Sequence, residues 1–103
     1  MEQRWTERIP MAVDVMVNYP SLGLVRGKSK DISLDGMFVE TGAIALAADT
    51  PLSVTFVLPQ DKSNQQYELR AQVVYSCSRG AALVFRGLDV SVISQLRKSL
   101  YSY

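Results

Sequence analysis

Over residues 11–19 apolar side chains fall on every second position, Met11, Val13, Val15, Val17 and Tyr19, with Ala12, Asp14, Met16 and Asn18 between them. That period of two predicts a strand with one buried face. Pro20 ends the run, and Ser21-Leu22-Gly23 reads as a turn into residues 24–33. The charges on Arg26, Lys28, Lys30 and Asp31 predict a long second strand with a solvated face. Asp35-Gly36, just before Met37-Phe38-Val39-Glu40, is a strong hairpin signal, because a tight primed turn needs positive φ and both residue types tolerate it.

Residues 41–50 are small and are bounded by Gly42 and Pro51, which predicts a loop with room for one helical turn. The β-branched and aromatic run 52–58 is closed by Pro59, and the polar stretch 60–66 leads as a hairpin loop into a strand over 67–77. Ser78-Arg79-Gly80 turns once more into a strand over 81–85. Six strands with short connections and no intervening helix predict an all-β, six-stranded antiparallel barrel, since parallel strands need long crossovers. The tail changes period: Val90, Ile93, Leu96 and Leu100 recur at helical spacing, with Asp89 or Ser91 as cap and Arg97 and Lys98 near the end. The expected organisation is one domain: an arm over 1–10, a barrel over 11–88 and a C-terminal helix over 89–103.

Composition narrows the function. A chain of 103 residues that is 48% hydrophobic and 20% charged carries a net charge of only +1. Long DNA or RNA, which needs a broad basic surface, is therefore disfavoured, whereas a small dianion needs only a few focused cations. Cys77 is the one cysteine and there is no histidine, so a disulfide, a zinc site and most acid–base chemistry lack their residues. The chain is expected not to be an enzyme, to hold no metal, and to carry Cys77 as a plain strand residue. The polar start does not read as a secretory signal, and no apolar run approaches the roughly 20 residues that span a bilayer, so a cytoplasmic protein without membrane insertion is expected.

Two motifs carry candidate chemistry. Arg4-Trp5-Thr6-Glu7-Arg8 places two guanidinium forks four residues apart, on one face whether the segment is extended or helical, and Pro10 biases it towards extended. Asp31-Ile32-Ser33-Leu34-Asp35-Gly36 offers a carboxylate, a hydroxyl and an open backbone. A guanidinium fork matches guanine O6 and N7, or phosphate oxygens, and a carboxylate accepts from guanine N1–H and N2–H₂. Asp31 and Ser33, two apart on a predicted strand, are expected to share a face. The alternative reading of each motif is structural: the arginines pair with Glu2 or Glu7, and Asp35-Gly36 merely turns a hairpin. Trp5 either stacks on a base or packs on the barrel.

The paired RxxxR and DxSxxG patterns, in this order and at these places, resemble the PilZ domain family. The resemblance covers nearly the whole chain and implies a cyclic di-GMP receptor whose ligand-binding residues are Arg4, Arg8, Asp31, Ser33 and Gly36. It further implies an unidentified protein effector as partner and roles in motility or biofilm. The arm, terminal and with little core of its own, is expected to be mobile until ligand orders it. Ala82 departs from the family, which often has a second glycine there. Gln3 stands where some relatives have another arginine that helps to hold two stacked ligands, so one ligand per chain is expected. Two rivals remain: a PilZ-like protein-interaction module that binds no nucleotide, whose members typically lose the arginines, and an OB-like single-strand binder, disfavoured by the even charge balance.

Overall fold

The computed structural model of the chain describes residues 7–59 and 65–101, so Gln3, Arg4, Trp5 and Tyr103 fall outside the described residues. In chain order the elements are β1 (Ile9–Pro10), β2 (Asp14–Tyr19), β3 (Gly23–Ile32), β4 (Gly36–Glu40), β5 (Pro51–Val57), β6 (Gln66–Ser76), β7 (Gly80–Arg86) and α1 (Val90–Tyr101). Strands β2 to β7 form the closed six-stranded antiparallel barrel that the alternation predicts. The sheet runs β3-β2-β5-β6-β7-β4 and is sealed by pairing of β3 with β4, which leaves no open edge along that seam.

Inside lie the alternate residues of each strand, among them Val15, Val17, Val25, Val39, Val54 and Val73, all almost wholly buried. Phe56 stacks against Tyr67 at 5.5 Å and against Phe85 at 6.5 Å between ring centroids. The 41–50 connector has no helical turn. It sends Leu46 into the core, a burial that contributes roughly 1.5–3 kcal/mol, and its Ala47 N–H donates to the Tyr19 hydroxyl at 3.0 Å.

Helix α1 is capped by Asp89, whose Oδ1 accepts from the Val92 N–H at 2.9 Å. Leu96, Leu100 and Tyr101 form its buried face, while Val90, expected on that face, is 83% exposed. As the first helical residue Val90 lies beyond the reach of the core. Cys77 also departs from expectation: β6 stops at Ser76, and the thiol is exposed in the β6–β7 turn.

The short strand β1 was not expected. Ile9 and Pro10 pair with Ile32 and Asp31 on the same edge of β3 that β2 occupies further along. Between them Met11, Ala12 and Val13 face only Lys30 and Ser29, through Met11 N–H to Lys30 O and Ser29 N–H to Val13 O, which is a β-bulge. The buried Ser29 side chain holds it, donating to Met11 O at 2.6 Å and accepting from Val13 N–H at 3.0 Å. Residues 9–10 thus lie along β3, because one bulge lets the strand continue past the start of β2.

Removing the Ser29 hydroxyl strands both backbone groups in a buried site. Ser29→Ala is expected to lower the unfolding free energy by about 1–3 kcal/mol in a urea titration. A loss below about 0.5 kcal/mol would show that the bulge holds without it.

Candidate functional site

Directly opposed residues of an antiparallel ladder share a face. Register therefore lines up one outward row across the barrel: Pro10 opposes Asp31, Asp31 opposes Phe38, Phe38 opposes Ala82, and Ala82 opposes Tyr75. Their neighbours Met37, Val39, Ala81, Leu83 and Val73 point inward and are buried. Two further bulges bracket the row. Lys30 is the extra residue of β3 against β4, and Val74 is the extra residue of β6 against β7. Each shifts the phase of its strand, so that Lys30 and Asp31 both avoid the core, as do Val74 and Tyr75. Strict alternation from Tyr67 would have sent Tyr75 inward.

The row floors an open groove of about 470 Å³, lined by Arg8, Asp31, Asp35, Phe38, Tyr75 and Ala82 among others. At its rim the two sequence motifs meet: Arg8 Nε donates to Asp31 Oδ1 at 2.9 Å, across 23 positions of chain. The side chains are 47% and 23% exposed, so the pair contributes little stability, about 0–1 kcal/mol, and rearranges cheaply. Side by side, the guanidinium and carboxylate present donors next to acceptors. Guanine presents the complement along one edge, with O6 accepting and N1–H and N2–H₂ donating. Adenine offers one donor, N6–H₂, beside the N1 acceptor, and so cannot give both carboxylate oxygens a donor as the adjacent N1–H and N2–H₂ of guanine do. Arg4, the other fork of the motif, lies outside the described residues.

Ser33 and Gly36 stand differently. Ser33 does not share the face of Asp31, because β3 ends at Ile32 and the Ser33 side chain folds under the turn, fully buried. Its Oγ accepts from Asp35 N–H at 3.1 Å and Gly36 N–H at 3.3 Å, while Ser33 N–H donates to Gly36 O at 2.8 Å. Gly36 does not take the positive φ expected of a primed turn. Its requirement is steric, since a Cβ there would run into the Leu83 carbonyl on β7. Both residues thus shape the turn that carries Asp35 to the groove, and Gly36 itself lines the groove.

Tyr101, the last residue of α1, links the two motif segments. The Tyr101 hydroxyl donates to Glu7 O at 2.7 Å and accepts from Leu34 N–H at 3.4 Å, tying the end of α1 to both the arm and the turn. Phe38 was legible as an outward aromatic, since Met37 and Val39 flank it. Tyr75 was hidden by the bulge. Among the described residues no group of three or more His, Cys, Asp or Glu is placed to hold a metal. No helix among them is long and apolar enough to cross a membrane.

Comparison with known proteins agrees with this architecture. The family model described as PilZ domain matches residues 2–102. No curated protein matches the chain. Among solved structures, the PilZ domain of CeSA from a cellulose-synthesizing bacterium superposes with a TM-score of 0.74 at 18% identity, over 93% of this chain and 96% of that one. The Bacillus subtilis inhibitor of motility, MotI/DgrA, superposes with a TM-score of 0.76 at 19% identity, over 93% of this chain and 48% of that one. The chain thus spans about half the length of MotI/DgrA.

Denaturant titration tests this assignment of roles. Gly36→Ala and Ser33→Ala are each expected to cost about 1–3 kcal/mol of stability, whereas Asp31→Ala, which breaks an exposed pair, shifts it by less than about 1 kcal/mol. Equal losses for all three in denaturant titrations would put Asp31 among the structural residues. Cys77 supplies a pH test. The N–H groups of Arg79 and Gly80, with the charges on Arg79 and Lys30, hold its thiol below the ordinary range. Its alkylation by iodoacetamide is expected to reach half-maximal rate below the roughly pH 8.5 of an unperturbed cysteine.

Proposed function

The chain belongs to the PilZ domain family, a family of cyclic di-GMP-binding adaptors, and on that premise we propose that it is itself a cyclic di-GMP receptor. PilZ domains are in general receptor and adaptor modules and not enzymes. The observation that carries the reading is the 2.9 Å pair between Arg8 and Asp31, the chemistry-bearing members of the two motifs, at the rim of the groove. The pair is pre-assembled and exposed, so guanine exchanges one weak ionic contact for a set of charge-assisted hydrogen bonds.

In this reading Asp31 accepts from guanine N1–H and N2–H₂. Arg8 serves O6 or the adjoining phosphate, and Arg4 supplies the second fork. Ser33 and Gly36 act by fixing the turn that flanks the groove. The ligand is cyclic di-GMP, the protein works in the cytoplasm, and its output is a protein effector that reads the surface built by the arm and α1. Tyr101 supports that route, since its hydroxyl joins arm, turn and helix. A ligand that pulls on Arg8 pulls on the same segment that Tyr101 holds.

Titration calorimetry with cyclic di-GMP tests the proposal directly. Arg8→Lys keeps the charge but loses the fork, and is expected to weaken binding about 5- to 150-fold. Retained affinity would favour simple phosphate attraction. Asp31→Ala is expected to weaken cyclic di-GMP by a similar factor and to leave cyclic di-AMP within about twofold. Absence of binding by the unaltered protein would overturn the receptor reading altogether.

A further inference from the structure

The groove has an apolar side that neither motif accounts for. Tyr75 is 54% exposed and its bulge partner Val74 is 53% exposed, on a strand whose other large apolar residues are buried. Tyr75 approaches Phe38 at 6.5 Å between ring centroids, tilted by 48°. Between the two rings, in register with both, stands Ala82, whose methyl is the smallest side chain that β7 can offer short of glycine. Two aromatic rings on an outer barrel face, separated only by a methyl, form a shelf open to the groove. The shelf exists because the Val74 bulge turns Tyr75 outward, and bulges next to binding sites commonly re-aim side chains in this way.

We propose that Tyr75, flanked by Phe38 and floored by Ala82, is a base-stacking shelf that receives the second guanine of the ligand. The inference rests on the receptor reading above. Three inter-strand spacings separate Asp31 on β3 from Tyr75 on β6, roughly 14 Å of barrel surface. One purine does not reach both. A cyclic dinucleotide does, with one base read by its edge at Arg8 and Asp31 and the other held by its face at Tyr75. Stacking is tolerant of base identity, because every base has a π-face, whereas the Arg–Asp edge is not. The two ends of the groove therefore make different demands: a guanine at one, any purine at the other.

The experiment is calorimetry on the full chain with cyclic di-GMP, a mixed cyclic guanine–adenine dinucleotide and cyclic di-AMP, using the unaltered protein, Tyr75→Ala and Tyr75→Phe. The mixed dinucleotide is expected to bind within about fivefold of cyclic di-GMP, and cyclic di-AMP far more weakly. Tyr75→Ala is expected to weaken both guanine-bearing ligands by the same factor, about 5- to 150-fold. Tyr75→Phe, which keeps the ring, is expected to stay within about twofold. Tyr75 is half exposed on the outer face of the barrel, and thermal melting of the free variants checks that they fold. If Arg8→Lys weakens cyclic di-GMP while Tyr75→Ala does not, the shelf is wrong and the receptor reading stands. The shelf is equally overturned if the mixed dinucleotide binds no better than cyclic di-AMP, since both bases are then read by edge. If the unaltered protein binds no cyclic di-GMP, the receptor reading fails and the shelf falls with it.

Discussion

Pairing of β3 with β4 closes the barrel, and the geometry of the groove follows from that closure. Without it Asp31 would stand at a free edge. With it, Asp31 is the first member of a register that crosses to Phe38, Ala82 and Tyr75. A closed sheet cannot slide one strand without moving every side chain on it to the opposite face, so the row is fixed as firmly as the core behind it. The bulges at Lys30 and Val74 are the places where that rule is relaxed, and they sit at the two ends of the row.

Rigidity and adaptability are divided between layers. The core side of each strand is tightly buried, with Met37, Val39, Val73 and Ala81 at or below 1% exposure behind the row. The outer side carries groups whose interactions with each other are weak: an exposed ion pair and a tilted ring pair, each contributing on the order of 1 kcal/mol. Groups held in place by the backbone but weakly committed to one another suit the proposed receptor role, because ligand contacts need not compete with strong internal ones.

Much of this was legible in the sequence, and the remainder failed for physical reasons. Alternation over 11–19, the proline stops and the glycine-containing turns carry the barrel class and the succession of strands along the chain, because a period of two and a broken run are local signals. The helical tail was equally legible, apart from Val90 at its first position. Bulges are not local in this sense: whether Val74 or Ala12 is an extra residue depends on the partner strand, so Tyr75 and β1 could not be read. The two motifs were visible as residue types, and the meeting of Arg8 with Asp31 follows from β1 lying along β3. The division of labour inside the second motif was invisible, since only packing shows that Ser33 is buried and that Leu83 stands over Gly36.

That division bears on how such chains are recognised from their genomes. The close approach of β4 to β7 at Gly36 and the hydroxyl-capped turn at Ser33 are demands of the barrel, and a domain of this architecture that had lost its ligand would still need them. Scoring the glycine and serine counts barrels. On the receptor reading proposed above, the arginine with its partner aspartate is the part of the signature that reports on the ligand, and the other letters report on the scaffold that presents it.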